Sequence, residues 1–475
     1  LKLQEAIISG EAGIVMCIKY KSLKFRDKMD VMILDTTPKQ IEDWHYNYSL
    51  KKKQKPRIMK IRHRFPNCDV ENVRMAFKML VQKHESLRTC FPLIDGKIKQ
   101  KINEYSAIYE LRVYNKKEIN NISDFIYSLE NSLKNIQNGS LLHGILIDQD
   151  GEGYEFFLII HHIVSDMWSI EIIKKDLLAF YNHLTQNAIL EIDEEQLQLR
   201  HYTAYFKEHR ISIHEESLQH WLMDLSKDSW KVDYNVIYQK LSASFPNLIP
   251  EHYMRGDRTF LSGFELEKNP DGESYSVICK GEIYSRLQSY KKQINTGVFS
   301  ILLTSLNILY HRLTGRNDLV VLSHFSNRHE VRTQSIIGNL IGKLIHHTKL
   351  NEKDSFKESI ITASQNFVDS IDKIVFNSET LKKLNLVTSS FVFLNFINKE
   401  REVGPIYLAG KNTLMKSRVE SPLVCEVIEF SNCYVINWSY HLSYYNFEMI
   451  KVISSLHLSL LSKMVMFSDR NLLTA

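Results

Sequence analysis

The run YEFFLII at 154–160 constrains this chain more than any other segment. It is nearly continuous in apolar residues and has the length of one strand. A strand that is apolar on both sides belongs inside a sheet, covered on both faces. SIEIIKKDLLAFYNHL at 169–184 then has the three-to-four spacing of an amphipathic helix. Between them lies HHIVSDMWS, residues 161–169. The loop at a strand's carboxyl end is where α/β proteins place reactive groups. Imidazole is suited to holding or taking a proton near neutrality. His161 and His162 are adjacent, so an extended chain points them to opposite sides. One can be packed and hydrogen-bonded while the other faces a cavity. Asp166 can fold back or bind a distant cation, and so hold the loop's shape. His346–His347 is a second pair, but Asn351 stands where the Asp would be, and it reads as structural. A metal site is the weakest reading of the first pair. There is no HExxH, and neighbouring histidines diverge rather than chelate.

The rest of the chain mixes strands and helices, giving an α/β (α+β) class. MKIRHRF alternates as a strand. DVENVRMAFKMLVQKHESL follows as a helix, with Asp69 as N-cap and Val73, Phe77, Leu80 and Val81 on its core face. FSILLTSLNILYHRLTG at 299–315 is an apolar helix closed by Gly315. DLVVLSHF, SSFVFLNF and NCYVINWSY read as strands, and FEMIKVISSLHLSLLSKMV at 447–465 as a closing helix. At roughly 150 residues per unit, the length predicts two lobes and a small appendage. We place the lobes at 31–205 and 206–475. Residues 1–30 read as a helix followed by an alternating strand pattern. Thirty residues bury too little to fold robustly alone. This segment is either a strand laid on the main body or a docking element offering its edge to a partner peptide.

Composition narrows the function. Lys+Arg 60 against Asp+Glu 55 leaves +5, too weak for nucleic acid without a local basic stripe. The densest run, KKKQKPR at 51–57, reads as a solvated loop. Cys17, Cys68, Cys90, Cys279, Cys425 and Cys433 form no CxxC pair. They read as reduced, mostly buried thiols of a cytoplasmic protein. No uninterrupted apolar run approaches membrane-spanning length, so no membrane partner is expected. The charged start lacks the apolar core of a secretory signal.

The loop HHIVSDMWS resembles the HHxxxDG signature of nonribosomal peptide synthetase condensation domains, relatives of chloramphenicol acetyltransferase. Other segments resemble that family in the right order: TTPKQIEDWHYNY (36–48), KHESLRTCF (83–91), LRHYTAYF (199–206), LLTSLNILYHRLTGRNDLVVLSHFSNR (302–328) and IIGNLIGKLIHHTKL (336–350). The resemblance covers about 36–465.

It implies a V-shaped pseudo-dimer of two acetyltransferase-like lobes with a central tunnel reaching the HHxxxD loop. By this resemblance His162 is the catalytic residue, positioning or deprotonating an attacking amine or stabilising the tetrahedral intermediate. His161 and Asp166 are supporting residues, with Arg328 of SNR as the partner of Asp166. Ser169 and Met167 complete the loop. Met167 replaces the usual Gly, and Gly342-Lys343 stands where Asn-Thr is common.

The implied activity is acyl transfer from a carrier-protein thioester to an amine, forming an amide, with a small free amine in terminal release as the first choice. Ester formation with a hydroxyl acceptor and a non-catalytic recruitment platform are the alternatives. Esterification from a coenzyme A thioester stands behind them. No cofactor is bound permanently, because the phosphopantetheine thioester arrives on a carrier protein. The upstream carrier or synthetase subunit would dock through residues 1–30, and the acceptor is a small amine or is itself carrier-bound. No carrier-type GGxS serine and no adenylation-type loop is present. That pattern reads as a freestanding condensation enzyme or one excised from a larger synthetase.

Overall fold

The computed structural model describes residues 31–50, 55–186, 196–209, 211–246, 248–250, 270–375, 386–390, 392–398 and 415–471, with Tyr253, Leu261, Glu265, Leu266, Leu381 and Leu384 between them. The docking element read at 1–30, and with it Cys17, lies outside the described residues. The chain forms two compact units. The first takes the described residues up to 212 together with 326–342; the second takes 213–325 and those from 343 onward.

In the first unit the elements that matter are α1 (Pro38–Tyr48), β1 (Ile58–Phe65), α2 (Val70–Lys83), β2 (Arg112–Asn115), β3 (Leu142–Asp148), β4 (Tyr154–His161), α3 (Met167–Gln186) and α4 (Leu199–His209). Four of these strands make one sheet in the order β1-β4-β3-β2. β4 runs antiparallel to both neighbours, with Ile58 opposite His161 and Leu142 opposite Ile160. It is the apolar run of the sequence, and all but its first residue is buried. Phe156, Leu158 and Ile160 face the core with α2 and α3; Phe157 and Ile159 face a smaller cluster under residues 119–133. Full burial of each such side chain stabilises by about 1.5–3 kcal/mol.

The helices start where their caps are. Asp69 accepts from the backbone N–H groups of Glu71 and Asn72. Thr37 and Gln40 form a reciprocal capping box on α1, with Pro38 in the first turn. α1 is unusual in what it buries. Gln40, Asp43, Trp44 and Asn47 share one face at helical spacing, and three of the four are polar. Each finds a partner: Gln40 on Gln100, Trp44 Nε1 on the Phe91 carbonyl, and Asn47 Nδ2 on the Lys134 carbonyl. Buried polar groups that are satisfied in this way fix one geometry where an apolar face would tolerate several.

The second unit is built on β5 (Asp271–Lys280), α5 (Val298–Thr314), β6 (Asp318–Phe325), β7 (Gly342–Lys349), β8 (Phe393–Asn398), β9 (Met415–Arg418), β10 (Leu423–Glu429), β11 (Cys433–His441) and α6 (Phe447–Met466). Its sheet has the order β7-β6-β8-β10-β11-β5-β9. β6, β8 and β10 are parallel, and β10, β11 and β5 antiparallel. α5 is nearly all buried and ends at Gly315, whose φ of 70° is the left-handed conformation glycine adopts without strain. α6 is long and apolar enough to cross a bilayer, but Met449, Ile450, Ile453, Leu460, Leu461 and Met464 fill the core of this unit. The described cysteines are unbridged, and all but Cys68 are buried.

Candidate active site

The end of β4 carries the histidine pair into a short 3-10 turn, His162–Val164, and α3 begins at Met167. The backbone N–H of His162 donates to the Arg57 carbonyl at 2.9 Å, which ties the turn to the start of β1. The two rings diverge. His161 is 1% exposed. Its Nδ1 accepts from Ile163 N–H at 3.0 Å, and its Nε2 lies 3.1 Å from Asn47 Oδ1 on α1. That pair of bonds places the proton on Nε2. Burial pulls the imidazole down to about 3, against the attraction of Asp43, so it is neutral.

His162 is only half-buried. Its Nδ1 lies 3.1 Å from Nδ2 of Asn339. Its Nε2 has no protein partner among the described residues and is not sealed from solvent. Burial holds this imidazole below the usual histidine range. Asp43 and the ring's own backbone pull it up, while Lys39 and Arg57 push it down.

Asp166 is a hub. Oδ1 accepts from the backbone N–H of Ser169 at 2.8 Å, as an N-cap does for α3, and lies 2.8 Å from Ser169 Oγ. Oδ2 accepts from Arg328 Nη1 at 2.6 Å and from Leu340 N–H at 3.3 Å. Both side chains of the ion pair are sealed, at 1% and 0% exposure. Arg328 also donates to the carbonyls of Ser326, Ile336 and Gly338. Asn327, just before it, sits at φ 54°, a left-handed conformation that asparagine tolerates, and its amide donates to Tyr202 on α4. This aims Arg328 inward.

The segment 336–340 is held from several other sides. Ser86 donates to the Ile337 carbonyl at 2.5 Å. Ser169 Oγ accepts from Gly338 N–H at 3.0 Å and also lies 3.0 Å from the Gly338 carbonyl. The quoted segments KHESLRTCF, LRHYTAYF, SNR and IIGNLIGKL therefore meet at one place. Met167 is 40% exposed on the first residue of α3. Its φ is not positive, so nothing in the backbone there calls for glycine.

The remaining partners were not singled out by any motif. Asp43 Oδ2 accepts from Asn339 Nδ2 at 2.7 Å. Its Oδ1 lies 3.0 Å from Lys39 Nζ and 3.6 Å from Arg57 Nη1. Burial alone would raise this carboxyl, but Lys39, then His162 and Arg57, outweigh it and hold it low. Lys39, Asp43, Arg57 and Asn339 thus form a charged and polar floor beneath His162. The one available signal was the polar spacing of 40, 43 and 47 on α1, which marks a buried polar face only once the helix is known to be covered.

The second histidine pair is otherwise employed. His346 is buried with Nε2 2.8 Å from Ser323 Oγ, and His347 lies between Asp224 and Asp318. No group of metal-ligating side chains occurs among the described residues.

The family model described as "Condensation domain" matches residues 53–244 and 250–469. Among curated relatives, bassianolide nonribosomal cyclodepsipeptide synthetase from Beauveria bassiana is 26% identical over 300 residues, 62% of this chain and 9% of that protein. The chain therefore spans a small fraction of the length of the relatives it matches. The condensation domain from monacolin K polyketide synthase MokA superposes with a TM-score of 0.69 at 12% identity, over 94% of this chain and all of that one. A structure titled for condensation domain-mediated chain release from the enacyloxin polyketide synthase gives 0.68 at 13%, over 95% and 85%. At these identities the superpositions speak for the fold, which is that of chloramphenicol acetyltransferase-like condensation domains. A family match running through both compact units, on a chain folded as solved condensation domains fold, makes this protein a member of the condensation-domain family.

Proposed function

We propose that this condensation domain moves an acyl or peptidyl group from the phosphopantetheine thioester of a carrier protein onto an amine, forming an amide, with His162 at the reacting atoms. The observation that carries the reading is Nε2 of His162. It is open while the neighbouring buried groups are tied into Asp166, Arg328, Asn339 and Asp43. A tied loop that leaves the ring's Nε2 without a protein partner among the described residues is what positioning a reacting group requires. The amine nitrogen attacks the thioester carbon, the C–N bond forms, and the C–S bond breaks with the thiol as leaving group. In this scheme His162 orients the amine or stabilises the oxyanion, and His161 and Asp166 hold the loop.

A hydroxyl acceptor, giving an ester, is the second reading. It is favoured by the cyclodepsipeptide named for the bassianolide relative, since a depsipeptide contains ester bonds. An alcohol keeps its proton until attack and asks more of a general base. Mass spectrometry of products from a loaded donor carrier incubated with amines and alcohols separates the two. His162→Ala is expected to lose product at least about 100-fold while keeping its fold. Unchanged product would leave only a non-catalytic recruitment platform.

A further inference from the structure

The His162 ring is hydrogen-bonded to the carbonyl of its own residue, which only Nδ1 can reach, so Nδ1 carries the proton of the neutral ring. Nε2, without a protein partner among the described residues, then presents a lone pair. A lone pair can take a proton only where the resulting imidazolium is tolerated, and in a half-buried ring that depends on the charges nearby.

A buried carboxylate stands beside this ring. Asn339 Nδ2 lies 3.1 Å from His162 Nδ1 and donates to Asp43 Oδ2 at 2.7 Å, so ring and carboxylate are separated by a single amide nitrogen. A second link runs through Arg57, whose carbonyl accepts from His162 N–H and whose Nη1 lies 3.6 Å from Asp43 Oδ1. The cations use that other oxygen: Lys39 Nζ is 3.0 Å from Oδ1, and it also lies 3.3 Å from Glu42. Among the charges facing the ring, which are Asp43 and Lys39 from α1 and Arg57 ahead of β1, Asp43 acts most strongly; the adjoining His161 is neutral. Asp43 is 2% exposed, so water screens its charge little.

We propose that Asp43 is the charge partner of His162, stabilising the imidazolium formed when Nε2 takes the acceptor's proton, and that it thereby fits this site to hydroxyl acceptors as well as amines. Asp43 is a positioning residue acting through the ring, and the inference rests on His162 lying at the reacting atoms. An amine attacks with its lone pair and sheds its proton afterwards; a hydroxyl holds its proton until attack and needs the base at that moment. As the hydroxyl oxygen bonds to the thioester carbon, its proton passes to Nε2 and the carbonyl π electrons move to oxygen. The electron pair then returns, the C–S bond breaks, and the proton leaves Nε2 with the thiolate as free thiol. The ring ends neutral, with its proton on Nδ1, and the product is an ester.

The test uses the full chain with an acyl-pantetheine thioester as donor and, as acceptors, a primary amine and the alcohol of the same carbon skeleton. Asp43→Asn should lower kcat for the ester about 10- to 100-fold and kcat for the amide less than about 3-fold. The acid limb of the ester pH profile should move to lower pH in Asp43→Asn and to higher pH in Lys39→Met, since one change removes a negative charge from beside the ring and the other a positive one. The same opposite displacements should appear in the His162 titration followed by 1H–15N correlation, with its signals assigned by their loss in His162→Ala. A merely structural Asp43 would lower both products alike and leave the titration in place, and either result overturns the inference. So does a wild-type protein that makes the amide and no ester. Full turnover by His162→Ala would overturn the catalytic assignment along with it. Lys39→Met decides the sign even if Asp43→Asn fails to fold.

Discussion

Asp166→Asn is the sharpest test of how the loop is built. The side chain keeps its shape and loses its charge. Arg328 is then left as a cation with 0% side-chain exposure. Breaking a buried pair by removing one partner costs about 3–5 kcal/mol, mostly because the other charge stays behind. The amide has no good orientation. If its oxygen keeps the cap on Ser169 N–H, its NH2 faces Arg328 and Leu340 N–H, donor against donor. If it turns, the cap is lost, at about 1 kcal/mol. Arg328 retains the carbonyls of Ser326, Ile336 and Gly338, which places the expectation at the lower end, about 3 kcal/mol. Urea denaturation followed by tryptophan fluorescence reads the change, since Trp168 lies 5.9 Å from the Arg328 guanidinium. Arg328→Met completes a double-mutant cycle, and the two changes together should cost clearly less than their sum. A loss within about 0.5 kcal/mol for Asp166→Asn, the scale of an ordinary surface change, would refute the reasoning.

Two other outcomes follow from the packing. Burial pulls His161, His346 and His457 each to about 3. Their unfolded counterparts titrate near 6.5, so the unfolded chain binds more protons below that value; stability is full above it and falls as pH drops toward about 3. Denaturation midpoints should fall with increasing slope as pH drops from about 7 to about 4, with His143 and His201, pulled by burial to about 4, adding to these three, and a flat profile would contradict neutral burial. Gly338→Ala would bring a Cβ to 2.6 Å from Leu199 Cδ1, at a residue whose N–H and carbonyl are both bonded. Overpacking of this kind should cost about 1–3 kcal/mol. A melting temperature equal to wild type would show that the segment gives way freely.

Much of the frame of both units was legible because it is written in local signals. YEFFLII is β4, Asp69 caps α2, and Gly315 closes α5. Helix ends drifted by only a few residues: 169–184 as read, against Met167–Gln186. The added turn begins straight after Asp166, which is itself the cap. The pairing of Asp166 with Arg328 came from the family resemblance, and the two side chains are in contact. Asp43 and Asn339 were not legible. Each lies far along the chain from His162, and an Asp or Asn inside a segment gives no local sign that it will be buried. Only the tertiary meeting of α1, the β4 turn and residues 336–342 turns them into neighbours of one ring.

That meeting has a temporal side. Asp166 and Arg328 are 162 residues apart in the chain. At about 5–20 residues per second, a ribosome delivers the arginine many seconds after the aspartate has emerged. During that interval the histidine turn has its strand but neither the guanidinium nor the amide that complete it. The nascent N-terminal stretch therefore carries an uncompensated carboxylate until the later loop arrives. Any fragment ending near residue 212 would keep that defect permanently.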